Sequence, residues 1–233
     1  MLANFLILLA SAADVLALTA RPIFPINGGG AELPSPPASV NLTRIVLGFG
    51  IQNYTCTDVN SDPSAIGALA MLYDITDLYP GKSRRSLKAR EWVKLSSKAL
   101  NSHDVPLTMI PGGIGADSDH PFPKSAPLKL SGMASIPFVG HHFFNSNGTP
   151  TFHLGRDVFF GKKLAAVNAP TCADAGPDGT GAVPWLYLGD AGSSVGVKYV
   201  YRVFTAGGNS HGCDVVEAGD DSTSYATMYW FYG

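Results

Sequence analysis

The sequence predicts a mainly β chain, an antiparallel sandwich or barrel with one inserted amphipathic helix. Runs of about five to ten residues rich in β-branched and aromatic side chains are separated by Gly, Pro, Asn and Asp clusters, the pattern of strands and turns. "KYVYRVFT", residues 198–205, alternates: Tyr199, Tyr201 and Val203 fall on one face, Lys198, Val200 and Arg202 on the other. That is the period of a half-buried strand. "YATMYWFY", residues 225–232, is instead apolar or aromatic on both faces, as in a strand with protein on either side or one that closes a barrel.

"MLANFLILLASAADVLALTA", residues 1–20, places an apolar run before small residues and predicts a secretory signal peptide. Without a positive n-region, Ala12, Ala13 and Ala20 all remain cleavage positions. The run is too short and too interrupted, by Asp14, to span a bilayer as a helix. No later segment approaches the roughly 18 apolar residues of a membrane anchor. Residues 21–40, "RPIFPINGGGAELPSPPASV", are dominated by Pro, Gly and Ser and predict an N-terminal arm that buries little apolar surface. A single β-rich domain is expected over residues 41–233.

"GFGIQNYTC", residues 48–56, raises the choice between a nucleotide-binding turn and a strand. Gly48 and Gly50 supply only two small residues, and a dinucleotide loop needs a third plus a helix to meet the pyrophosphate. "IQNYTC" alternates like a strand, with Gln52, Tyr54 and Cys56 turned inward if Asn53 and Thr55 face solvent. The later "GGIGAD", residues 112–117, has neither an apolar strand before it nor a helix after it, so no nucleotide cofactor is expected.

The inserted helix is "SLKAREWVKLSSKAL", residues 86–100, with Trp92, Leu95 and Ala99 at helical spacing. Lys82, Arg84, Arg85, Lys88, Arg90, Lys94 and Lys98 lie in or just before it. They fit a solvated outer face better than a docking surface for an anionic polysaccharide or lipid. "GAVPWLYL", residues 181–188, reads as a further strand, at an edge, bulged or beginning after Pro184, which cannot donate to a ladder.

Composition narrows function by exclusion. Hydrophobic residues make up 45% and charged residues 15% of the 233, and the formal net charge is −2. Nothing global in that balance calls for nucleic acid or an anionic membrane. Asn41, Asn53 and Asn147 each begin an Asn-x-Ser/Thr glycosylation site, which has meaning in a secreted chain. Cys56, Cys172 and Cys213 allow one disulfide and leave one thiol, and spacing leaves the pairing open.

The candidate chemistry is a histidine set. His141 and His142 sit in "VGHHFF", and His153 follows in "PTFHL" across the turn "NSNGTP". In a hairpin, one of the adjacent pair would share a face with His153; with Asp157 nearby, that pair would suit a divalent metal or acid–base work. The bland alternative is hydrogen-bonded structural histidines. No H-E-x-x-H motif occurs. The aromatics Tyr229 to Tyr232 could stack on sugars if exposed, and read as core otherwise.

Together "GFGIQNYTC", "LYDIT", "GHHFF", "PTFHL", "GAVPWLYL", "VYRVFTAGG", a late "GC" and "YWFY" resemble a secreted fungal and bacterial family of unknown function, over about residues 46–232. Its Q-x-Y-x-C element corresponds to Gln52, Tyr54 and Cys56, and its R-V-x-T-x-G-G element to Arg202 through Gly208. The resemblance implies that Cys56 pairs with Cys213. Fungal members are often labelled malate dehydrogenase, which the residues here do not support. The expectation is an extracellular, non-catalytic protein binding cell-wall polysaccharide or another surface component, with no cofactor. The alternative is a metal-assisted hydrolase or lyase using the histidines.

Overall fold

An unpaired strand edge exposes a row of backbone donors and acceptors, and closing a sheet on itself removes both edges. The computed structural model describes residues 20–233, so the expected signal peptide, apart from Ala20, lies outside the described residues. Among those residues, eight antiparallel strands form a closed barrel in simple chain order. They are β1 (Leu42–Cys56), β2 (Ser64–Asp74), β3 (Phe138–Phe144), β4 (Pro150–Leu154), β5 (Asp157–Val167), β6 (Trp185–Asp190), β7 (Tyr199–Gly207) and β8 (Gly219–Tyr232). β6 begins directly after Pro184, which therefore never has to donate within the ladder.

The closing seam joins β1 to β8 from Leu42 opposite Tyr232 to Cys56 opposite Gly219. β1, β7 and β8 are buried on both faces over most of their length, which explains their nearly continuous apolar runs. Val46, Leu72, Phe152, Phe159, Val200 and Phe231 fill the interior toward one end of the barrel. The alternate residues Ile45, Leu47, Phe49, Tyr201 and Trp230 form an outer wall that is itself covered. Gly48 faces inward in mid-strand, where a Cβ would stand 2.5 Å from the Tyr229 ring. Its role is close approach inside the barrel.

The cover comes from the segment expected as one helix and from the arm. That helix is divided into α1 (Ala89–Trp92) and α2 (Leu95–Ser102). Lys94 takes φ −100°, ψ 3°, outside the helical basin, and the break follows the β-branched, exposed Val93. Dividing the helix lets Trp92 meet Tyr79, at 5.4 Å between ring centroids, while Leu95 and Ala99 still reach the wall. A short α3 (Cys213–Val216) adds to the expected helix count. Residues 21–40 contribute more burial than their composition suggests: Phe24 stacks edge-on against Tyr201 at 4.5 Å, and Leu33 joins the wall cluster.

Two of the basic residues have a structural task. Arg85 Nη2 donates to the Ser135 carbonyl at 3.0 Å and Lys98 Nζ to that of Ser131 at 2.7 Å, tying down the long β2–β3 connection. No helix among the described residues is long and apolar enough to cross a membrane.

Cys56 and Cys213 form a disulfide across 157 positions, and Cys172 is free and exposed. Closing so long a loop restricts the unfolded chain by an amount worth on the order of 5 kcal/mol in the chain-entropy model. The paired substitution Cys56→Ser/Cys213→Ser should lower unfolding free energy by a comparable amount in a denaturant titration. In the native unreduced protein, a thiol reagent should label Cys172 alone.

Candidate functional site

Strand direction decides where space remains inside the barrel. The apolar plug sits toward the end where β1 and β7 begin and β2 and β8 finish. Toward the opposite rim the inward positions are smaller or more polar, and a cavity of about 720 Å3 remains. Its walls include Phe144, Phe152, Leu186, Leu188 and Tyr229. Its rim includes Ala65, the Gly148–Pro150 turn, Ala166, Val183 and Asn209. This volume lies within the range of small-molecule sites, which are typically apolar chambers with a few placed polar groups.

The placed polar groups converge on β7. Arg202 alternates with Val200 into the barrel and is only 7% exposed. Its Nε and Nη2 both donate to the Pro184 carbonyl, at 3.1 and 2.9 Å. The ion pairs among the described residues are Arg44–Asp74 and His211–Asp221, so Arg202 has no carboxylate partner there. Nor do the surrounding phenols compensate it. Burial raises the pKa of Tyr54, Tyr225 and Tyr229 above the usual phenol value although the Arg202 charge opposes it, so all three stay neutral near neutral pH. Tyr54 donates to the Gly208 carbonyl at 2.6 Å, and the Tyr225 and Tyr229 hydroxyls meet at 3.0 Å.

The histidines divide between the two faces of the hairpin. His141 lies directly opposite His153 in the β3–β4 register, on the outer face, while His142 turns into the barrel. His141 packs on Phe122 at 4.2 Å, and its Nε2 is buried without a hydrogen-bond partner among the described residues. His153 is exposed, and Asp157 pairs with Leu154, one position away from the residue opposite His153. The described residues hold no cluster of three or more His, Cys, Asp or Glu suited to a metal. His142 stacks on Phe152 at 4.0 Å, and its Nδ1–H donates to the Thr151 carbonyl at 2.9 Å. Burial, with a smaller push from the Arg202 charge, lowers its pKa to about 4, while the bond to Thr151 works the other way. The ring is thus neutral near neutral pH, with Nε2 as its acceptor.

Other sequence candidates have plain placements. Asn41 and Asn147 are exposed, the latter in the turn at the cavity rim, whereas half-buried Asn53 accepts a hydrogen bond from Ser222 Oγ at 3.0 Å. Gln52, Tyr54 and Cys56 point inward and are buried, as the alternation of "IQNYTC" predicts. Gly48 and Gly50 sit within a strand, with no helix after them to meet a pyrophosphate. Tyr229 to Tyr232 are buried. The residue that sequence reasoning passed over is Arg202. Its signals were its place beside Val200 on one strand face and its position at the head of the R-V-x-T-x-G-G element.

The described residues thus form a closed eight-stranded antiparallel barrel with a ligand-sized chamber. The chain belongs to the family described as "Protein of unknown function (DUF3455)", which it matches over residues 36–233. No curated protein and no solved structure matches it.

His142 makes stability depend on pH. Unfolded, its imidazole titrates near 6.5; folded, near 4. Between these values the unfolded chain binds a proton that the folded one does not, so the His142 contribution is complete above 6.5 and is lost as pH falls toward 4. The loss should total about 3 kcal/mol. His142→Phe, which keeps a ring against Phe152, should flatten this part of a stability–pH curve measured by denaturant unfolding.

Proposed function

We propose that this is a secreted, non-catalytic binding protein that holds a small molecule inside its barrel. The observation that carries the reading is the chamber of about 720 Å3 with an accessible rim. An interior lined this way favours an enclosed ligand over a polymer lying on the surface. A surface polysaccharide site would draw on exposed aromatic platforms. The exposed large hydrophobic side chains among the described residues, such as Ile23, Ile66, Ile114 and Val195, are aliphatic or Met instead.

Support for a non-catalytic role comes from the lining. It includes no Asp, Glu, Ser or Cys, and its one histidine is neutral and fixed by Thr151. A pair of carboxylates for acid–base work has no counterpart there. Secretion is supported by the leader-like residues 1–20 and by the disulfide, which is typical of oxidising compartments.

The neutral fluorophore N-phenyl-1-naphthylamine tests the cavity directly. Its fluorescence should rise on binding to the folded protein. Ala166→Trp, at an exposed position on the rim, should weaken that binding by about tenfold or more while leaving the melting temperature nearly unchanged. Absence of binding, or equal binding by the variant, would contradict the reading.

A further inference from the structure

We infer that the ligand is an amphipathic monoanion, an apolar body carrying a carboxylate that pairs with Arg202. The inference rests on the cavity being a binding site and adds the chemistry of what enters it. A guanidinium held in an apolar interior without a counter-charge is costly, and buried charges are ordinarily paired. Arg202 is in that position: buried, with part of its donor set spent on the neutral Pro184 carbonyl and none on a carboxylate among the described residues. Guanidinium offers five N–H donors in a planar fork that suits an oxyanion.

The rest of the charge balance points the same way. Lys162 and Lys163 also line the cavity, and no acidic residue does. The two acids nearby are committed elsewhere. Asp221 accepts from Ser210 Oγ at 2.6 Å, from the His211 backbone at 2.9 Å and from its ring at 2.8 Å. Asp190, near Lys162, accepts from Ser194 Oγ at 2.5 Å and from the Gly192 backbone at 2.8 Å. A neutral ligand would leave Arg202 uncompensated. A dianionic phosphate would carry a second charge into walls formed by Phe144, Phe152, Leu186 and Leu188. One buried cation matches one negative charge, and the two exposed lysines provide an attractive field for the approach.

The experiment is competition against N-phenyl-1-naphthylamine on the intact protein near neutral pH and at fixed ionic strength, with decanoate, 1-decanol and decyl phosphate as competitors. Decanoate should displace the probe at concentrations about ten- to a hundredfold below those needed for decanol, and below those for decyl phosphate. In Arg202→Gln the advantage of decanoate over decanol should disappear while the probe still binds. Arg202→Lys should retain part of it. The wild-type comparison stands by itself if a variant does not fold. Equal displacement by decanoate and decanol overturns the anion and leaves the cavity reading intact. Stronger displacement by decyl phosphate overturns the carboxylate. Failure of the probe to bind removes the cavity reading, and this inference with it.

Discussion

The pairing of the first strand with the last is the constraint on which the molecule depends. β1 and β8 are the longest strands but one another's neighbours only through closure, and their seam is secured at both ends. At one end, Asn41 and Gly233 exchange backbone hydrogen bonds at 3.0 and 3.1 Å. At the other, Cys56 is bonded to Cys213, just ahead of β8. Opening this seam would expose two long edges and both apolar faces together.

Closure also sorts the side chains. Because strand residues alternate, every strand sends one set into the barrel and the other outward, and on β1, β7 and β8 the outward set forms an apolar wall that needs its own cover. α1, α2, the N-terminal arm and the long β2–β3 connection supply that cover, so the wall carries Tyr201 and Trp230 safely buried. The interior is then free to vary along its length. It is packed with aromatic and branched side chains at one end and left open around Arg202, Tyr54 and His142 at the other.

Much of the architecture was legible in local pattern. Alternation in "IQNYTC" placed Gln52, Tyr54 and Cys56 on the inner face, and the two-sided aromatic character of "YATMYWFY" matched a barrel strand buried inside and out. The interruption at Val93–Lys94 was harder to see, since no Gly or Pro marks it and it answers to what Trp92 and Leu95 must each touch. The arm's Phe24 and Leu33 were obscured by the Pro- and Gly-rich residues around them. The site was the least legible part. Arg202 looks like the polar member of a half-exposed strand until closure shows that its face turns inward, and a cavity is a property of eight strands at once. The histidine hairpin was legible in register, since His141 and His153 do face each other, but not in consequence. The imidazole that reaches the chamber is His142, on the opposite face.

A crystal structure of the protein grown with decanoate would locate both the alkyl chain and its charge. Density for the alkyl chain is expected inside the barrel, between Phe152 and Leu188, with the carboxylate within hydrogen-bonding distance of the Arg202 guanidinium. An empty barrel with decanoate bound on the outer surface would contradict that placement, as would a chain inside the barrel whose carboxylate points away from Arg202.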